Sequence, residues 1–168
     1  MCTDQAIVDA VLGVGPETAI DEARRKRDGD FRVLSYEDFA AGKVEVTVDV
    51  VVCNFSLLGG ESVEGVIRAV PSRLNPNGAF IVQTMHPIVE CGDDAYRDGW
   101  REGTWAGISC DFSDPAPWFF RTVESWVNLF VTNGFQLREL LEPLHPETGK
   151  PASVIFIALL WGHHPHTN

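Results

Sequence analysis

The alternation of short apolar runs with helical segments is the feature that most constrains the fold of this chain. Apolar runs rich in Val, Ile, Leu and Phe occupy residues 7–14, 31–34, 48–53, 79–84, 135–142 and 152–160. Between these runs, the sequence favours helices over residues 17–27, from residue 36 onward, and over residues 61–74 and 120–132. This alternation is typical of α/β proteins built on a parallel sheet. A short polar loop joins the last two strands, so we expect a mostly parallel sheet whose last strand is antiparallel, with that pair at the sheet edge.

The length and the local composition predict one domain with a long internal loop. The 168 residues suit a single domain, which we expect over residues 1–162, followed by a disordered tail at 163–168. Residues 88–118 are rich in Gly, Asp, Pro and Trp and lack a clear period. A loop of that length inside a compact domain is usually functional, so we predict a lid or binding loop there. The segment Asn75-Pro76-Asn77-Gly78 predicts a turn.

The charge balance argues against two classes of partner. The chain has 13 basic and 24 acidic residues, which give a net charge of -11. A surface this acidic repels phosphate backbones and anionic lipids, so we expect neither nucleic acid nor a membrane as a partner. The four cysteines show no zinc-binding spacing, and no signal peptide is recognised. We therefore expect a cytoplasmic protein without a metal site.

Several motifs in this order resemble those of one enzyme family. They are DVVVCNFSLLGG at residues 49–60, LNPNGAFIVQTMHP at 74–87, DGWRE at 98–102, NGF at 133–135 and ASVIFIALL at 152–160. As a set, these motifs resemble the class I, Rossmann-like methyltransferases that use S-adenosylmethionine. The resemblance implies that fold, that cofactor and a small-molecule methyl acceptor. It begins near Val11, so we expect an N-terminally truncated version that lacks the first strand-loop-helix unit.

The resemblance also implies a set of cofactor-binding residues. Gly13 and Gly15 form the only glycine-rich candidate near the start, with a tight turn that leads into a helix as the alternative. Ser35 and Tyr36 follow a predicted strand at the place where the family contacts adenine; a helix cap is the alternative. The loop 54–56, which comprises Asn54, Phe55 and Ser56, matches the channel loop of the family. Its alternative is an ordinary turn between a strand and a helix.

Candidates for acceptor chemistry lie farther along the chain. His86 comes just after a predicted strand, where an imidazole can act as a general base, although a structural histidine is the alternative. Four candidates for substrate binding lie in or next to the long loop: Trp100, Arg101, Trp105 and Arg121. Arginine can pair with a carboxylate and tryptophan can cover an apolar or cationic group. The alternative is that the tryptophans, with Trp118, fix the loop to the domain.

Two further functions compete with a small-molecule methyltransferase. One is a catalytically inactive relative that serves as an interaction module, since a sheet that lacks a strand would expose an apolar edge for a homodimer. The other is a nicotinamide-dependent reductase, which would need GxGxxG after a first strand. The sequence lacks that motif, so the methyltransferase is the favoured function.

Overall fold

A computed structural model describes residues 32–103 and 116–161 of the chain. Its helices are α1 (Tyr36–Ala40), α2 (Glu61–Ala69), which continues as a 3-10 turn (Val70–Arg73), α3 (Pro87–Glu90) and α4 (Val123–Thr132). The strands are β1 (Val48–Asn54), β2 (Leu74–Met85), β3 (Gly99–Arg101), β4 (Trp118–Phe120), β5 (Phe135–Leu141) and β6 (Ser153–Leu160). Gly13, Gly15 and Trp105 lie outside the described residues, as do the strand predicted at 7–14, the helix at 17–27 and the tail at 163–168.

Within the described residues, the main sheet has four strands in the order β1-β2-β6-β5. Strands β1 and β2 are parallel, whereas β6 runs antiparallel to both of its neighbours, β2 and β5. The strands β1, β2 and β5 therefore point the same way, and their carboxyl ends meet at one edge of the sheet. This confirms the predicted mixed sheet with a reversed last strand. In open α/β sheets, ligands bind at that carboxyl edge.

The sequence signals fail or shift at three places. Residues 32–35 form no strand, so the strand predicted at 31–34 is wrong in its described part. Residues 32–34 pair with no described strand, and Ser35 caps α1 by accepting a hydrogen bond from Asp38 N. Residues 75–78 loop out within β2, where Asn77 has φ 65° and the pairing shifts between Val48↔Leu74 and Val50↔Ala79. The helix predicted to reach residue 74 ends at Ala69, since Pro71 cannot donate the next helical hydrogen bond.

A single apolar core lies between the sheet and its helices. Phe130 of α4 is fully buried, with its ring 5.6 Å from Phe80 of β2, 6.3 Å from Phe135 of β5 and 5.4 Å from Phe156 of β6. Helix α2 contributes Val63, Val66 and Ile67 to the same core. Because the core spans β2, β5 and β6, it fixes the relative positions of the strand ends at the carboxyl edge.

The described part of the predicted loop 88–118 contains most of α3, a series of turns, and strand β3, which pairs with β4 to form an antiparallel ribbon. Asp98 and Tyr96 fix this ribbon to the start of α4: the carboxylate of Asp98 accepts from Thr122 N at 2.8 Å, and the Tyr96 hydroxyl accepts from Val123 N at 2.9 Å. Its second strand contacts the loop after β1 through a hydrogen bond from Phe119 N to the carbonyl of Leu58 at 2.7 Å. The ribbon is thus anchored beside the carboxyl end of β1.

Among the strands that the structure describes, β1 lies at the edge of the main sheet, and its Val50 and Val52 are 43% and 41% exposed. The homodimer expected from such an edge stays a prediction. Among the described residues, no helix is long and apolar enough to cross a membrane. In the same part of the chain, no group of three or more His, Cys, Asp or Glu residues is arranged to hold a metal ion.

Candidate functional site

Tyr36 and Ser56, two residues expected at the cofactor, are in contact. The Tyr36 hydroxyl donates a hydrogen bond to the backbone carbonyl of Ser56, and this bond joins the start of α1 to the loop after β1. Burial raises the pKa of Tyr36 to about 12, so its hydroxyl stays protonated and available as a donor at neutral pH. Ser35 caps α1, which is the alternative role predicted for it.

The loop after β1 begins with a strained residue. Phe55 has φ 49°, a left-handed conformation that costs a residue with a side chain about 1–3 kcal/mol. Its N–H extends the pairing with β2 by donating to the carbonyl of Gln83 at 2.8 Å. Its side chain is 44% exposed, and Asn54 beside it is also exposed. The backbone thus turns sharply at the end of β1 and leaves an aromatic ring and an amide accessible there.

An apolar pocket continues from this loop. It is lined by the loop after β1, by the end of β2 and the residues after it, by β4 and the residue that follows, and by α4. The lining residues are Leu57, Leu58, Thr84, Met85, Pro87, Glu90, Trp118, Phe119, Phe120, Arg121 and Trp126. Leu57 and Leu58 come directly after Ser56, so the pocket adjoins the residues expected at the cofactor. A lining that is apolar with a few polar groups is typical of small-molecule sites, and the free space enclosed here is about 10 Å³.

Arg121 forms part of the wall of this pocket and is almost fully buried. Its Nη1 donates to the carbonyl of Gly59 at 2.7 Å, and its Nη2 donates to the carbonyl of Gly60 at 2.8 Å and lies 3.5 Å from a carboxylate oxygen of Glu64. The guanidinium carbon lies 4.7 Å from the ring centre of Phe119. Burial lowers the pKa of Arg121, with Glu64 acting in the opposite direction. Because both terminal nitrogens have internal partners, we revise its expected role from substrate ligand to positioning of the loop after β1.

The other aromatic and basic candidates belong to the ribbon. Trp100 is 62% exposed, with its ring edge-to-face against Phe119 at 5.5 Å. Arg101 contacts Asp94 at 3.1 Å and donates to the carbonyl of Ala95 at 2.8 Å, so it stabilises the ribbon internally. Trp118 lines the pocket. Of these three residues, Trp118 has the position most suited to contact a bound acceptor.

His86 is buried and contacts a residue that the sequence analysis did not single out. Its Nε2 lies 2.8 Å from a carboxylate oxygen of Glu142, which directly follows β5. Its Nδ1 is buried and has no hydrogen-bond partner in the described part of the chain. Although His86 itself does not line the pocket in the described structure, Met85 and Pro87 on either side of it do. His86 is thus adjacent to pocket-lining residues in the chain, but its own side chain does not form part of the lining.

Glu90, at the end of α3, is the second acidic group that sequence reasoning missed. It lines the pocket and remains partly exposed, and burial raises the pKa of its carboxyl group. Within the described residues its carboxyl group makes no hydrogen bond or ion pair. A titratable group with a raised pKa in a cleft is a candidate for ligand contact. The HPIVE segment carries a signal for this position. A short helix that starts at Pro87, directly after β2, keeps Glu90 near the end of that strand.

The raised pKa of Glu90 makes a prediction about stability. When the pKa of a carboxyl group is higher in the folded state than in the unfolded state, its ionisation destabilises the fold. Stability is lost as pH rises from the pKa of the unfolded state, about 4.3, through the pKa of the folded state. Glu90→Gln should therefore raise Tm at pH 7 by roughly 1–2 °C, a modest effect because the group is partly exposed. Near pH 4 this difference should vanish. Calorimetry at both pH values measures it, with the exposed Glu147→Gln as control; an equal Tm for wild type and Glu90→Gln at pH 7 would refute the assignment.

Comparison with known proteins gives the class of fold. No family model and no curated protein sequence matches the chain. Among solved structures, a Listeria monocytogenes protein assigned to the S-adenosylmethionine-dependent methyltransferases matches with a TM-score of 0.69 at 19% identity. The match covers 88% of this chain and 78% of that one. A Mesorhizobium loti S-adenosylmethionine-dependent methyltransferase matches with a TM-score of 0.61 at 18% identity, over 86% and 76% of the two chains.

A third match includes a substrate. The Burkholderia thailandensis 1,6-didemethyltoxoflavin-N1-methyltransferase, with 1,6-didemethyltoxoflavin and S-adenosylhomocysteine bound, has a TM-score of 0.60 at 13% identity. That match covers 90% of this chain and 59% of the enzyme. The chain therefore has the Rossmann-like fold of the class I methyltransferases, as the sequence motifs predicted.

Proposed function

We propose that this protein is an S-adenosylmethionine-dependent methyltransferase that acts on a small molecule. The observation that carries the proposal is the contact between Tyr36 and Ser56 at the carboxyl end of β1, directly next to an apolar pocket. The loop that contains Ser56 suits a nucleoside, and the apolar pocket next to it suits an organic acceptor. The fold supports the proposal because its neighbours of known activity are methyltransferases.

The described residues fit the adenosine part of the cofactor. Phe55 offers an exposed aromatic ring on which a base can stack, and the amide of Asn54 can both donate and accept hydrogen bonds. The hydrogen bond from Tyr36 to Ser56 holds this loop in place before a ligand arrives. Gly13 and Gly15 remain the candidates for the rest of the cofactor.

The residues of the pocket would orient the methyl acceptor. When bound, S-adenosylmethionine supplies a methyl group on a positively charged sulfur, which is a good leaving group. The chain then has to align the acceptor and receive its proton, because such displacements depend mainly on orientation. Leu58, Phe119 and Trp126 exclude water from the pocket, and His86 is our candidate for the proton acceptor.

The acceptor class follows from the chemistry of the residues that line the pocket. Its lining is mostly leucine and aromatic side chains, with Thr84 and Glu90 as the polar groups not already engaged with the loop after β1. We infer an apolar or aromatic small molecule with a hydroxyl or amine as the methyl acceptor. The bound 1,6-didemethyltoxoflavin of the Burkholderia enzyme supports this class by analogy of fold.

The proposal predicts that Tyr36→Phe weakens the binding of S-adenosylmethionine. Without the hydroxyl, the loop after β1 loses a hydrogen bond of about 0.5–1.5 kcal/mol, so the Kd should rise about threefold to tenfold. Titration calorimetry measures the affinity. Tyr96→Phe removes the same group at the ribbon and should leave the Kd unchanged. Equal affinities for both variants would contradict the assignment of Tyr36 to the cofactor side.

A further inference from the structure

We propose that Glu142 is a positioning residue that holds His86 in a single tautomer, with Nδ1 left as the acceptor of a proton from the bound methyl acceptor. This inference rests on the proposed function for the identity of the proton donor. The tautomer itself follows from the geometry of the two side chains alone.

Topology brings the two side chains together. His86 follows β2 and Glu142 follows β5, and these strands are parallel to each other with β6 between them. Residues that follow parallel strands emerge at the same edge of the sheet, so two groups 56 positions apart meet at 2.8 Å. The His86 side chain is 4% exposed, whereas that of Glu142 is 53% exposed. The carboxyl group of Glu142 thus remains in contact with water while the ring of His86 is buried.

The chemistry of the contact assigns the proton on the ring. An ionised carboxylate has only acceptor atoms, so the ring nitrogen that contacts it must carry a hydrogen. In a neutral imidazole, a hydrogen on Nε2 leaves Nδ1 with a lone pair. Of the two neutral tautomers, the Nε2–H form is therefore the one that the contact with Glu142 favours.

The lone pair on Nδ1 then lacks a donor. The atom is buried from water and has no partner in the described part of the chain. Buried polar atoms are nearly always paired, and an unpaired one calls for a functional reason or a missing partner. Met85 and Pro87 line the pocket whereas His86 does not, so an acceptor must displace part of this wall to reach Nδ1. In the proposed arrangement, the O–H or N–H group of that acceptor is the donor to Nδ1.

The proton balance of this step is simple. As the acceptor attacks, its O–H or N–H bond breaks, and the proton passes to Nδ1. The electron pair of that bond would stay on the acceptor atom, which would bond the methyl carbon. The bond between that carbon and the sulfur of S-adenosylmethionine would break at the same time, and the sulfur would keep the electron pair as the leaving group, S-adenosylhomocysteine. His86 becomes an imidazolium ion whose charge the Glu142 carboxylate balances through Nε2–H, the arrangement known from histidine-carboxylate pairs in other enzymes.

The test is the tautomer of His86 in the ligand-free protein, measured by long-range 1H–15N correlation NMR on protein with labelled histidine. A charge-assisted hydrogen bond predicts a preference of about tenfold or more for the Nε2–H form in the wild type. In Glu142→Gln the amide can donate or accept, so this preference should be lost. Glu142→Asp should restore it partly. Glu139→Gln, on the exposed part of β5, should leave the His86 signals unchanged.

An Nδ1–H tautomer in the wild type, or an unchanged His86 spectrum in Glu142→Gln, would overturn the inference. Calorimetric titration of the same samples with S-adenosylmethionine separates this failure from that of the proposed function. We expect Glu142→Gln to bind the cofactor within about twofold of the wild type, since Glu142 lies away from the loop after β1. If the wild type does not bind the cofactor, the proposed function fails even when the tautomer is as predicted.

Discussion

Arg121→Met is expected to lower the free energy of unfolding by about 3 kcal/mol, a large share of the stability of a domain this size. Methionine fills much of the same volume but donates no hydrogen bond. The carbonyls of Gly59 and Gly60, which accept from Arg121 at 2.7 Å and 2.8 Å, would lose their partner. The contact between the guanidinium and the Phe119 ring would also be lost. Arg121 thus stabilises the contact between the loop after β1 and the ribbon.

Urea denaturation followed by tryptophan fluorescence measures this effect. Arg138→Met is the matched control, because Arg138 is exposed on β5 and its substitution should change stability by less than about 0.5 kcal/mol. Equal losses in the two variants would show that the internal contacts of Arg121 contribute little. A loss confined to Arg121→Met would support its role in positioning the pocket wall.

Phe130→Ala is expected to lower the free energy of unfolding by roughly 3–5 kcal/mol, the usual cost of a large buried aromatic ring. Phe130 is fully buried and its ring contacts those of Phe80, Phe135 and Phe156. Removal of the ring would leave a cavity among three strands that cannot easily close. Since those strands carry the carboxyl edge, the loss of packing should also loosen the contact between His86 and Glu142.

The neighbouring residue on the same helix provides the control. Val131 is 57% exposed, so Val131→Ala should cost less than about 0.5 kcal/mol. Urea denaturation of both variants tests the prediction. A loss below about 1 kcal/mol for Phe130→Ala would mean that the core rearranges around the missing ring, contrary to the packing described above.

The framework of the fold could be predicted from local sequence patterns. The run at 48–53 became β1, and the run at 152–160 became the reversed strand β6. Ser35 capped a helix because its side chain satisfies a nearby N–H, which is a local effect. The run at 31–34 failed as a strand in its described part because residues 32–34 pair with no strand of the described chain, and strand formation depends on such a partner more than on local preference.

The contacts of the candidate site join residues that are far apart in the sequence, and local sequence patterns do not predict such contacts. Arg121 was singled out as a free ligand for a carboxylate, but its partners are carbonyls 61 and 62 positions away. Glu142 was missed because its relation to His86 emerges only once β2 and β5 are known to be parallel with β6 between them. The looped-out segment at 75–78 likewise shows that a correct turn signal can lie inside a strand.

The direct test of the central claim is a calorimetric titration of the wild-type protein with S-adenosylmethionine, followed by competition with S-adenosylhomocysteine. We predict saturable heat with one binding site per chain, displacement by S-adenosylhomocysteine and a rise in Tm as ligand concentration exceeds the Kd. The absence of both heat and thermal shift at millimolar ligand would contradict the account, because the carboxyl edge of this sheet would then hold no cofactor.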